Sequence, residues 1–216
     1  MTEPRETVYE DEAPADEEPE QEQEPERDEQ QEEWEQVAEP APADESEPQD
    51  EHAAGELEIP DEVAVLRGEP RGARRTVGIV VSRFNGEVTN RLLDRALAEL
   101  EEAGVPPSLV TVMPVPGAFE LPLAAMALAK TRRFACIVAL GCVIRGETPH
   151  FDFVAGEAAS GLQLAALETG VPVAFGLLTV ESRAQAEVRV DRAADAVRGA
   201  LEMADVFAQL RASASG

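Results

Sequence analysis

The chain has two cysteines, two histidines, one tryptophan and one tyrosine in 216 residues. Cys136 and Cys142 are too few for a disulfide framework and do not form a zinc-ligand pattern, so both read as small core residues. No stretch of about 18 uncharged apolar residues is present, which argues against a membrane-spanning helix. The segment MTEPRETVYEDE lacks the basic start and apolar core of a secretory signal, so a cytoplasmic location is the default expectation. Gly-x-Gly-x-x-Gly, a P-loop and a metal-ligand cluster are also missing, which weighs against nucleotide and metal chemistry. Basic residues are scarce: 18 Lys+Arg face 44 Asp+Glu, a net charge of −26. Such a chain repels nucleic acid and anionic membranes, and neither is expected as a partner.

What is present divides unevenly. Residues 1–70 hold 28 acidic side chains against three arginines, a net of −25, whereas the other 146 residues hold 16 acidic and 15 basic, a net of −1. The first stretch is rich in Glu, Pro and Gln and nearly free of β-branched residues. It cannot bury enough apolar surface to offset the entropy lost on ordering. Residues 1–62 therefore read as an acidic disordered extension and 63–212 as the folded domain. Within the extension, Trp34 and Val37 form either a short anchoring segment for a partner or part of a solvating bristle.

From about residue 76 short apolar runs alternate with helical periodicity. TVGIVVS (76–82), LVTVMPV (109–115), FACIVALG (134–141) and VPVAFGLLT (171–179) read as strands buried on both faces. Between them, 88–104 places Leu92, Leu93, Ala96, Leu97 and Leu100 on one helical stripe and stops at Gly104. A second helix spans 118–131. A third starts near His150, with Thr148 as N-cap and Pro149 at the first position, and ends near Gly170. The carboxyl end reads as one helical stretch entered through a capping box, Ser182 with Gln185. Strand and helix in alternation give an α/β fold with a parallel sheet and helices on both faces. In such open sheets ligands sit beyond the carboxyl ends of the strands, which directs attention to four loops.

The first loop, SRFNGEV, offers Phe84, either a stacking face for a planar ring or a lid over the core, followed by the turn residues Asn85 and Gly86. The second, VPGAFELP, has Gly117 at a strand-to-helix turn. There Glu120 either accepts hydrogen bonds from ligand hydroxyls or complements the helix dipole. The third carries His150 in the first helical turn, where the dipole favours a neutral imidazole able to exchange protons; a structural histidine is the competing reading. Arg145, Gly146 and free turn amides are suited to holding an anion. The fourth brings Arg189, either a bidentate phosphate ligand or a solvated helical arginine.

Taken together and in order, SRFN, VPGAFELP, ALGCVIRGETPHFDFV, PVAFGLLT and QAEVR resemble lumazine synthase over roughly residues 63–210. The resemblance implies a flavodoxin-like, three-layer α/β/α fold with a four-stranded parallel sheet, plus an amino-terminal edge strand, DEVAVLRGEP, joining a neighbouring subunit. It implies a homopentamer with active sites between subunits and, in some members, an icosahedral cage of pentamers. Riboflavin synthase or another cargo is a candidate partner within such a cage. The implied reaction, a step of riboflavin biosynthesis, condenses 5-amino-6-ribitylaminouracil with 3,4-dihydroxy-2-butanone 4-phosphate to 6,7-dimethyl-8-ribityllumazine, without cofactor or metal.

By the same resemblance, Phe84 stacks on the pyrimidine with Asn85 beside it, and Gly117, Ala118, Phe119 and Glu120 border the ribityl chain. The backbone of Cys142, Val143 and Ile144 reads the edge of the heterocycle. Gly146, Glu147 and Thr148 help to hold the butanone phosphate, with Arg189 as its main cation, while Phe175 closes the pocket from the adjacent subunit and His150 moves protons. The family's Asn-Lys-Gly near the start of the last helix is matched only by Val197-Arg198-Gly199, so Arg198 keeps the charge with a different geometry. The acidic extension is absent from typical members. It leaves open an alternative function, a cage-forming scaffold whose acidic tails capture cargo or partners.

Overall fold

The computed structural model describes residues 57–214. The acidic extension, with Trp34 and Val37, lies outside the described residues up to position 56. Four strands, β1 (Val77–Ser82), β2 (Val110–Val115), β3 (Cys136–Ile144) and β4 (Val173–Val180), form one all-parallel sheet in the order β2-β1-β3-β4. Among the described residues five α-helices accompany them: α1 (Gly86–Glu102), α2 (Leu121–Lys130), α3 (His150–Thr169), α4 (Arg183–Glu187) and α5 (Arg192–Ser213).

The two-residue period of a strand divides the core into two layers. Val77, Ile79 and Val81 of β1, with Cys136, Val138 and Leu140 of β3, pack against Leu92, Ala96 and Leu100 of α1 and Val197, Ala200 and Leu201 of α5. Val80, Ile137 and Ala139 point the other way, onto Leu121, Ala124 and Ala125 of α2 and Ala158, Leu162 and Ala165 of α3. This is the flavodoxin-like α/β/α sandwich, with β1 and β3 in the centre. The sheet's strand order reverses between these two strands, and a crevice opens there at their carboxyl ends.

Several sequence expectations are corrected by this arrangement. β2 is an edge strand, so Thr111 to Pro114 are exposed rather than buried on both faces, and Pro114 is tolerated because an edge position needs no second set of ladder bonds. Leu97 falls off the buried arc of α1 and is 37% exposed. Thr148 makes no capping bond, and Pro149, not Thr148, occupies the N-cap position of α3. The carboxyl helix is broken: Ser182 does cap, its Oγ accepting from the Gln185 N–H at 3.3 Å, but α4 ends at Glu187 and α5 begins only at Arg192. Glycine stops are where the sequence puts them, Gly104 and Gly170 both having positive φ.

Residues 63–70 form no strand in the single chain. Their last part is fastened to α5: Gln209 donates to the Arg67 carbonyl at 2.9 Å, the Glu69 N–H donates to Asp205 at 3.2 Å, and Arg75 pairs with the same Asp205. Val63, Val65 and Leu66, just before this clamp, are exposed.

Candidate active site

The crevice at the carboxyl ends of β1 and β3 is a cavity of about 570 Å³, and each of its walls is a strand end or the helix turn that follows one. From β1 come Phe84, exposed, and Asn85, whose left-handed backbone (φ 56°) turns the chain into α1. Asparagine tolerates that conformation, and its Nδ2 donates to the Cys142 carbonyl at 2.9 Å, tying this loop to the end of β3. From the β2 end come Gly117, Ala118, Phe119 and Glu120, in a tight 3-10 turn before α2. Glu120 Oε2 accepts from the Gly117 N–H at 2.9 Å, so one carboxylate oxygen is committed to shaping the turn. The tail of β3 supplies Cys142, Val143 and Ile144, and the loop beyond it Gly146 and Thr148. The fourth wall is the first turn of α3, with His150, exposed, accompanied by Phe151, Phe153 and Val154.

The electrostatics are sparse. Glu120, His150 and the Cys142 thiol are the ionisable groups on the wall, and no guanidinium or ammonium group lines it among the described residues. Burial pushes the Cys142 thiol up to about 11, and burial, partly offset by Arg75, takes Cys136 to about 12. Both are neutral thiols at physiological pH and poor nucleophiles. Arg145 is not free to hold an anion as the sequence suggested, since it is ion-paired with Asp152 at 3.1 Å and Glu181 at 2.9 Å. Among the described residues no group of three metal-ligating side chains occurs, and no helix is long and apolar enough to cross a membrane.

Four of the sequence candidates stand away from this wall. Glu147 is exposed in the loop between Gly146 and Thr148, which do line it. Phe175 is 48% exposed on β4, opposite Ala139 of β3. Arg189 sits in the break between α4 and α5, its Nη1 donating to the Gln185 carbonyl at 3.0 Å. Arg198 is placed nearly two turns into α5, where it pairs with Glu99 of α1 at 2.9 Å and with Asp195. The first residue of α5 is Arg192, beside Asp195. Phe151, Phe153 and Val154 line the wall as well and are not among the site residues the sequence suggested. The Phe-x-Phe pair directly after the histidine was the available signal, obscured because its spacing also fits a buried helical stripe.

Residues 74–208 match the model of the 6,7-dimethyl-8-ribityllumazine synthase family, and that span contains every residue of the cavity wall. The chain belongs to this family. Among curated lumazine synthases, that of Thermococcus kodakarensis is 44% identical over 154 residues, covering 69% of this chain and 97% of the relative. That of Syntrophus aciditrophicus is 47% identical over 138 residues, 62% of this chain and 90% of the relative. That of Gemmatimonas aurantiaca is 45% identical over 150 residues, 67% and 92% respectively. The match to the lumazine synthase model leaves residues 1–73 outside it.

Proposed function

We propose that the chain is a 6,7-dimethyl-8-ribityllumazine synthase, a transferase of riboflavin biosynthesis that joins 5-amino-6-ribitylaminouracil to 3,4-dihydroxy-2-butanone 4-phosphate with release of phosphate and water. The observation that carries this reading is the coincidence of the family's motifs with one cavity: SRFN, VPGAFELP and GCVIRGETPH are far apart in sequence and share its walls. In the reaction an amine attacks a ketone, water leaves, phosphate is eliminated and a ring closes. Protons must be moved at each stage, and His150 is the wall residue suited to moving them. Phe84 and Phe119 offer exposed ring faces to a flat heterocycle. The remaining Glu120 oxygen and the backbone at Gly117 and Ala118 suit a polyhydroxyl chain.

The phosphate needs a cation that the described residues of a single chain do not bring to the wall. We therefore infer an oligomer in which a second copy completes the site, with Arg189 and Phe175 entering from the neighbour. A pentameric ring, alone or built into a cage, is the assembly we propose. No observation among the described residues favours the scaffold reading over the enzyme. Mixing both substrates with the protein and following lumazine fluorescence together with phosphate release tests the assignment. Product formation well above the protein-free rate is expected. Tight binding of the lumazine with no gain in rate would instead make the chain a storage protein.

A further inference from the structure

Arg145 is the first residue beyond β3, and it meets three segments at once. Its N–H donates to the Val180 carbonyl at 2.9 Å, extending the pairing of β3 with β4 by one residue. Its guanidinium forks onto Asp152, Nη2 to Oδ1 at 3.1 Å and Nη1 to Oδ2 at 3.2 Å, and Nε reaches both oxygens of Glu181, at 3.1 and 2.9 Å. The guanidinium carbon also lies 4.1 Å from the centroid of the Phe151 ring, in cation–π geometry. Phe151 and Asp152 follow His150 directly in the first turn of α3, while Glu181 follows β4. Each nitrogen of the planar guanidinium, and one of its faces, is thus engaged by a neighbour from another part of the chain.

The segment it spans has little else to fix it. The side chains and N–H groups of Gly146, Glu147 and Thr148 make no hydrogen bond among the described residues, and α3 opens without a side-chain cap. Yet Gly146, Thr148, His150 and Phe151 all line the cavity. Arg145 itself does not.

We propose that Arg145 is a positioning residue for the lumazine-forming reaction: with Asp152 and Glu181 it clamps the cavity-lining loop and the His150 turn into one rigid wall, and it holds the Phe151 ring in place. This rests on the enzyme reading above. An exposed ion pair contributes little to global stability, so the effect belongs to geometry rather than to folding. A displacement of about 1 Å at a reacting group can cost up to about 10²-fold in rate.

The test is a set of four variants in the full chain: Arg145→Gln, Arg145→Lys, Asp152→Asn, and Arg145→Gln with Asp152→Asn. For a clamp, kcat falls about tenfold or more in Arg145→Gln and in Asp152→Asn, KM for the butanone phosphate stays within about twofold, and Lys, lacking the planar fork, restores only part. The double variant is no slower than the worse single, because both remove the same unit. Hydrogen exchange of the amides at positions 145 and 152, which donate to the Val180 and Pro149 carbonyls, rises by a similar factor in both singles. The proposal is overturned if Arg145→Gln raises KM for the phosphate substrate while Asp152→Asn lowers it, since the guanidinium would then be a phosphate ligand held in reserve. Unchanged kcat in all four also overturns it. If the parent protein shows no turnover, the enzyme reading fails by itself, and exchange decides the clamp: equal loosening supports it, unaltered exchange rejects it.

Discussion

His150 stands at the first position of a 20-residue helix, on the wall of the cavity and in contact with solvent. A positioned acid/base typically contributes about 10²- to 10⁴-fold, whereas holding two reactants together contributes more, and the attacking amine is already a nucleophile. His150→Ala is therefore expected to lower kcat by about 10²-fold without abolishing turnover, and steady-state kinetics in both substrates measures it. Arg189→Ala should act differently, raising KM for the phosphate substrate with a smaller change in kcat; equal KM in the variant would remove Arg189 from the site. The two cysteines make a prediction about alkali. Their folded thiols are raised above the ordinary value of 9.0, to about 12 and about 11, so the folded chain keeps protons that the unfolded chain releases. The stabilisation is complete below pH about 9 and is lost as pH rises toward the folded values. Chemical unfolding midpoints should fall above pH about 9, and less so in Cys136→Ala.

At the scale of elements, the interior of the fold was legible in the sequence and its boundaries were less so. β1 and β3 read as doubly buried because both faces of each carry apolar side chains, and the structure puts both in the centre of the sheet. β2 has a similar composition, but being at the edge is a property of strand order and leaves no mark on a short apolar run. The break between α4 and α5 was invisible because Val188, Arg189 and Val190 fit helical spacing and no Gly or Pro marks the turn. Arg198 carried the expected charge, but its partner Glu99 lies on another helix, which a one-dimensional reading does not bring near. The loops at the strand ends were legible because strand direction alone determines where they gather. One close contact between elements gives a further prediction. A Cβ on Gly161 of α3 would lie 2.7 Å from Cβ of Pro122 on α2, a rigid ring that cannot swing aside. Replacing a mid-helix glycine by alanine gains up to about 1 kcal/mol in propensity, but overpacking a tight contact costs about 1–3 kcal/mol. Gly161→Ala is therefore expected to be destabilising on balance, seen as a lower thermal midpoint.

For the whole molecule, charge and chemistry are segregated along the chain. The matched span begins at residue 74, whereas residues 1–70 carry a net charge of −25. Deleting residues 1–56 should leave kcat within about twofold, because the cavity wall found among the described residues is built from positions 84–154. Assembly size in the intact chain should vary with ionic strength more than in the truncated one, since screening at about 0.15 M salt cuts repulsion beyond roughly 8 Å. Light scattering at low and high salt makes the comparison.

Among the described residues the cavity has a histidine and a carboxylate but no cation on its wall, and this has one more implication. If the missing positive charge comes from a second copy, turnover is a property of associated chains and a lone chain is nearly inert. Rate per milligram would then decline on dilution through the dissociation range, and recover when the protein is concentrated again.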